Sequence, residues 1–152
     1  MYFLILYYNH VIVVIKPHNI PSQEDETGDK DMLNLVKEYI KIKYNKPGNV
    51  YVGLVHRLDR PTGGLMVFAK TSKAASRLAE QMQDGRFNKK YLTILDGVPV
   101  DRRKKQVNYL KKDEKTNIVK IVPMGEEGAK RAELIYNVLE VENNLSLAEI
   151  EL

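Results

Sequence analysis

Two apolar runs, residues 50–55 and 65–69, are joined through His56-Arg57-Leu58-Asp59-Arg60-Pro61-Thr62-Gly63-Gly64. Few segments restrict a backbone more. Pro61 fixes its own φ, while Gly63 and Gly64 permit positive φ and the close approach of another chain. The flanking runs read as strands, so the charges of Arg57, Asp59 and Arg60 are held at a constrained crossing between them.

The remaining chain reads as strands at both ends with two helices between. Residues 4–8 and 11–15 are β-branched or aromatic runs split by Asn9-His10, a pair suited to a hairpin turn, and Lys16-Pro17 ends the second. Residues 18–31, rich in Asp, Glu, Ser, Pro and Gly, form a loop. A helix follows through Met32, Leu35, Val36, Tyr39 and Ile40, with Asp31 as its cap. A second helix carries Ala75, Leu78, Ala79 and Met82 at helical spacing, with Ser72 as cap and Gly85 as stop. Residues 91–95 make the next strand, residues 99–105 a basic connection, and residues 118–122, 132–141 and 145–152 three further strands. The expected fold class is therefore α+β: a mixed, mainly antiparallel sheet with two main helices on one side, in one globular domain.

Composition excludes several classes of function. The 152 residues contain no cysteine, which rules out disulfides and thiolate metal sites and points to a cytoplasmic location. His10, His18 and His56 show no ligand spacing, so no metal is expected. The apolar start, residues 1–8, lacks a basic leader and a cleavage site and reads as strand, without membrane insertion. Net charge is only +4, but it is unevenly placed. Residues 56–90 and residues 101–120 each hold eight Lys/Arg against three Asp/Glu. Such basic blocks suit a polyanionic partner, RNA among them, although solvated surface cations would give the same pattern.

Asp59 lies between Arg57 and Arg60, whose positive charges favour its ionised form. An ionised carboxylate can serve as nucleophile or base, or can simply cap a turn among surface arginines. Two nucleotide-binding readings fail. A kinase catalytic loop needs His-Arg-Asp-Leu, whereas Leu58 precedes Asp59 here, and Lys70-Thr71 follows Ala69 where a phosphate-binding loop needs glycine.

The whole stretch from His56 through Asp59 to Gly64, continued by Leu65-Met66-Val67-Phe68-Ala69-Lys70-Thr71, resembles the signature of the RluA family of RNA pseudouridine synthases. Lys16-Pro17, Lys89-Lys90-Tyr91 and Ala129-Lys130-Arg131-Ala132 support the resemblance in the same order. Gly63 departs from it, since the family often has Ser there. The resemblance implies a cofactor-free isomerase that breaks the bond between uracil and ribose, turns the base and rejoins it through carbon, in ribosomal or transfer RNA. It implies Asp59 as the catalytic carboxylate, with Tyr91 lying against the uracil. Arg57 would enter the RNA to hold the flipped state, and Arg60, Lys89 and Lys90 would make further RNA contacts. A base within a helix must be flipped out to react at all. Tyr91 as a plain strand residue and His56 as a packed loop histidine are the bland alternatives, and Lys16 is kept out of the site as structural.

In the family pattern a Gly-Arg-x-His-Gln-Ile-Arg segment follows a strand resembling residues 146–152. This chain ends before it and begins without the family's S4-type RNA-binding module. Residues 1–152 are thus expected to be the N-terminal portion of an incomplete catalytic domain. Two consequences are expected: self-association through an exposed sheet edge, and, as the alternative to catalysis, an inactive RNA-binding fragment.

Overall fold

The computed structural model describes residues 6–152, with Tyr7 described by its backbone alone. The chain divides into two compact units at Phe87/Asn88, where one globular domain was expected.

The first unit is built on β1 (Leu6–Tyr7), β2 (Val11–Lys16), β3 (Gly53–Leu54) and β4 (Gly64–Ala69), in the order β1-β2-β4-β3. Every pairing in it is antiparallel. The expected hairpin around Asn9-His10 is present, although residues 4 and 5 of its first strand lie outside the described residues. Register sets the core. Ile12 stands opposite Phe68 and Val14 opposite Met66, and all four are buried on one face. Continuing that period of two puts Lys16 on the same face, opposite Gly64, where it is fully buried.

Helix α1 (Met32–Lys43) buries Met32, Val36 and Ile40, and its apolar side forms a hollow with Ile12 and Val14. Asp31 caps it as expected, accepting from the Asn34 amide, and so satisfies one of the amides that a helix start leaves open. Helix α2 (Ser72–Gln83) brings Ala75 beside Gly53 and Ala69. Ala69 alternates with Phe68 along β4, so the two helices pack on opposite faces of the sheet and not on one side as expected. The cap of α2 is Thr71, accepting from the Ala74 amide, whereas Ser72 was expected; Ser72 is already the first helical residue. Of the apolar run 50–55, only Gly53–Leu54 pairs as strand.

The second unit is a five-stranded antiparallel sheet of β5 (Lys90–Asp96), β6 (Arg103–Lys112), β7 (Val119–Val122), β8 (Lys130–Glu142) and β9 (Leu145–Glu151). Its order is β5-β9-β8-β6-β7. Both sheets being antiparallel, the expected mixed sheet becomes two pure ones. Strand β6 is the element that sequence missed. Its basic start was read as a connection, yet Arg103, Lys104 and Lys105 pair with Asn137, Tyr136 and Ile135. Their exposure lets a sheet accept charges that a buried strand would reject. Strands β8 and β9 meet at Asn143-Asn144, both with positive φ, the two-residue turn that matches strand twist. Strand β5 lies at the sheet edge, and Leu92 and Ile94 on it are exposed. Among the described residues, no helix is long and apolar enough to cross a membrane.

Candidate active site

The end of β2 and the segment that follows it, residues 16–22, grip the crossing loop one backbone group after another. The buried Lys16 ammonium donates to the carbonyls of Pro17 (3.1 Å), Ile20 (2.7 Å) and Arg60 (3.0 Å), which together use its three protons. The Asn19 amide also donates to the Arg60 carbonyl, at 2.8 Å. His18 Nδ1–H donates to the Pro61 carbonyl at 2.8 Å. Ser22 closes both sides of Leu58: its hydroxyl donates to the Leu58 carbonyl at 2.6 Å and accepts from the Leu58 amide at 3.1 Å. Finally the Thr62 amide donates to the Asp59 carbonyl, making a turn with Arg60 and Pro61 at its centre.

This anchoring has a consequence for the side chains. Leu58 is buried, whereas the residues on either side of it are not. Arg57 and Asp59 are accordingly exposed on either side of a plugged leucine. A carboxylate and a guanidinium are thus displayed from a backbone that cannot shift without breaking bonds to Ser22, Lys16 and Asn19. His56 behaves as the packed loop histidine. Its Nε2 accepts from the Val67 amide at 3.0 Å, and its ring lies 5.8 Å from that of Phe87.

Arg60 points into a different environment. Its guanidinium pairs with Asp25 (3.4 Å) and with Asp29, and donates to Thr27 Oγ1 (3.0 Å) and Asn19 Oδ1 (3.3 Å). Hydrogen bonds from Thr27, then the Arg60 charge, hold the Asp25 carboxyl below its ordinary range. The Arg60 hydrogen bond does the same for Asp29, which in turn raises Arg60. Burial lowers the Lys16 ammonium, as does the Arg60 charge, while Asp59 works in the opposite sense.

Gly63 explains itself in this setting. A Cβ there would come within 2.9 Å of His18 Nε2, so the ring that holds Pro61 sits where a side chain would go. Gly63→Ser is expected to push the exposed His18 ring aside and break its bond to Pro61. The cost is about 1 kcal/mol, readable in a urea melt, and a shifted His18 resonance should accompany it; unchanged stability with an undisturbed His18 would refute the contact.

The remaining expected site residues belong to the second unit. Tyr91 is half-buried on β5, opposite Ile150. Lys90 alternates with it and lies on the opposite face, where it pairs with Glu149 (3.2 Å) and Glu151 (3.9 Å). Lys89 precedes the strand, its carbonyl accepting from the Leu152 amide. Sequence reading passed over Ser22, His18 and the partners of Arg60. The one signal available was Lys16 falling in phase with Ile12 and Val14, since a charge on a core face has to be met by buried acceptors.

Comparison with known proteins agrees with this layout. The family model described as RNA pseudouridylate synthase matches residues 10–152. The chain belongs to this family. Among curated relatives, the ribosomal large subunit pseudouridine synthase C of Buchnera aphidicola subsp. Baizongia pistaciae is 32% identical over 122 residues, 78% of this chain and 37% of that protein. Synthase D of Zymomonas mobilis subsp. mobilis is 32% identical over 149 residues, 94% of this chain and 45% of that protein. The chain therefore spans less than half the length of these relatives. Among solved structures, human RNA pseudouridylate synthase domain containing 4 superposes with a TM-score of 0.79 at 22% identity, over 97% of this chain and 57% of that one. At that identity the likeness shows the fold alone, an α+β arrangement shared with that domain. The expected family and fold class both stand.

Proposed function

We propose that the protein containing this chain isomerises uridine to pseudouridine in ribosomal RNA, with Asp59 as the reacting carboxylate. Ribosomal RNA is chosen over transfer RNA because the relatives are named for the large ribosomal subunit; a cytoplasmic location belongs to the same proposal. The observation that carries it is the display of Asp59. It is exposed, next to a buried leucine, on a turn whose carbonyls are tied down by Lys16, Asn19, His18 and Ser22. A carboxylate fixed in that way can meet the sugar of a flipped-out nucleotide without first losing conformational freedom.

In this reading Arg57, exposed beside Asp59, enters the space left by the flipped uridine, and Tyr91 offers its ring to the uracil. Lys89 contacts phosphate. Arg60 and Lys90 would reach phosphate only by leaving the carboxylates that hold them now. The product is an isomer of the substrate, so the overall reaction involves no change of oxidation state.

Rejoining through carbon displaces the hydrogen on C5 of uracil. Release of tritium from ribosomal RNA labelled at that carbon therefore reads the reaction directly. Tritium release by the full protein supports the reading. Salt-sensitive RNA binding without release would instead mark a binder without catalysis.

A further inference from the structure

We propose that Arg60 is a positioning residue for Asp59, held away from it by Asp25 and Asp29. This rests on the reading of Asp59 as the reacting carboxylate and adds to it a residue that touches no substrate.

Arg60 follows Asp59 directly in the chain, and a half-buried arginine beside an exposed aspartate would be free to turn to it if nothing else held it. Here the guanidinium is taken up elsewhere. Nη1 reaches Asp25 and Thr27, Nη2 reaches Asp29, and Nε reaches Asn19. Each nitrogen of the fork has an acceptor, and two of the acceptors carry full negative charge, which is the arrangement that binds guanidinium most strongly. Thr27 braces the pair by donating from its amide to Asp25 at 3.0 Å.

The backbone of the same residue is bound to the same region. Its carbonyl accepts from Lys16 Nζ and from the Asn19 amide. Arg60 is thus fixed at both ends by residues 16–29, and it occupies the first central position of the turn that the Thr62 amide closes onto the Asp59 carbonyl. Rotation of that turn would have to break the fork, the two carbonyl bonds, or both. Two effects follow for Asp59. Its main chain is immobilised, and the nearest cation in sequence is prevented from folding back to occlude it.

The acidic character of residues 24–29 gains a reason here. Glu24, Asp25, Glu26 and Asp29 would repel RNA if they served only as loop surface. With Arg60 bound, two of those carboxylates are engaged and one of the four negative charges is offset.

Three variants of the full protein test the proposal: D25N/D29N, R60A and R60K, each assayed for tritium release with kcat and KM separated. D25N/D29N and R60A should lower kcat by about tenfold or more, as expected for a displaced reacting group. KM should move by no more than about threefold, upward in R60A, which leaves two carboxylates uncompensated, and downward in D25N/D29N, which removes them. R60K should recover part of the kcat lost in R60A, since an ammonium can still pair with one of the two carboxylates. A raised KM with unchanged kcat would overturn the proposal, making Arg60 an RNA-contacting cation; so would no change in either constant.

Hydrogen exchange at the Thr62 amide provides a readout that does not depend on activity. It should quicken in D25N/D29N, whose exposed substitutions leave the core intact, and unchanged exchange would overturn the positioning role. Should the unaltered protein release no tritium, the function assigned to Asp59 fails while the exchange measurement still decides the role of Arg60.

Discussion

Asp59→Asn is expected to reduce kcat for uridine isomerisation by about a thousandfold or more, the scale of losing a reacting carboxylate. Asn keeps the shape of the side chain and removes its charge and basicity. Because Asp59 is exposed and the loop is held through backbone groups, folding stability should move by no more than about 0.5 kcal/mol. Affinity for ribosomal RNA should be unchanged or slightly higher, since one negative charge facing phosphates is gone. Tritium release and RNA binding measured on the same preparation separate these effects. Undiminished release by the Asn variant would remove Asp59 from the chemistry.

Lys16→Met should give the largest loss of stability. Methionine matches the lysine stem and leaves little cavity, so the loss reports the hydrogen bonds. The carbonyls of Pro17, Ile20 and Arg60 would lose their shared donor, and a cost of about 3 kcal/mol is expected from breaking charge-assisted bonds in a buried setting. Urea unfolding at neutral pH measures it; a loss below about 1 kcal/mol would mean that water replaces the ammonium. The pH dependence has a definite sign. Burial and the Arg60 charge lower the folded Lys16 pKa from 10.5, so between the folded value and 10.5 the unfolded chain binds more protons. Stability from this group therefore rises with pH across that window. The advantage of the wild type over Lys16→Met should widen there, and a narrowing would mean that the three carbonyls favour the charged ammonium by more than burial opposes it.

Much of the site was legible because its constraints are local. Pro61 and the paired glycines announce a special backbone, and the run around Asp59 carries the family resemblance, whereas the burial of Leu58 between two exposed charges is seen only in the structure. The Asp31 cap and Gly85 after α2 could be read for the same reason: caps and stops act within a few residues. Other elements obeyed influences that local pattern does not carry. Residues 103–105 have the composition of a connection, yet they form the start of β6 because β8 supplies a partner strand and their side chains stay in solvent. Residues 50–55 look more strand-like than they are, because only Gly53 and Leu54 find partners on β4.

The cations expected to bind RNA show the division most clearly. Sequence by itself determined that Asp59 and Arg57 sit on a constrained loop of a pseudouridylate synthase family member, since spacing and backbone chemistry are properties of neighbouring residues. Which charges are already engaged was decided only by tertiary structure. Arg60 meets carboxylates 35 and 31 positions earlier in the chain, and Lys90 meets one 59 positions later. Ion pairing depends on distance in space, and loop path and strand register bring those residues together.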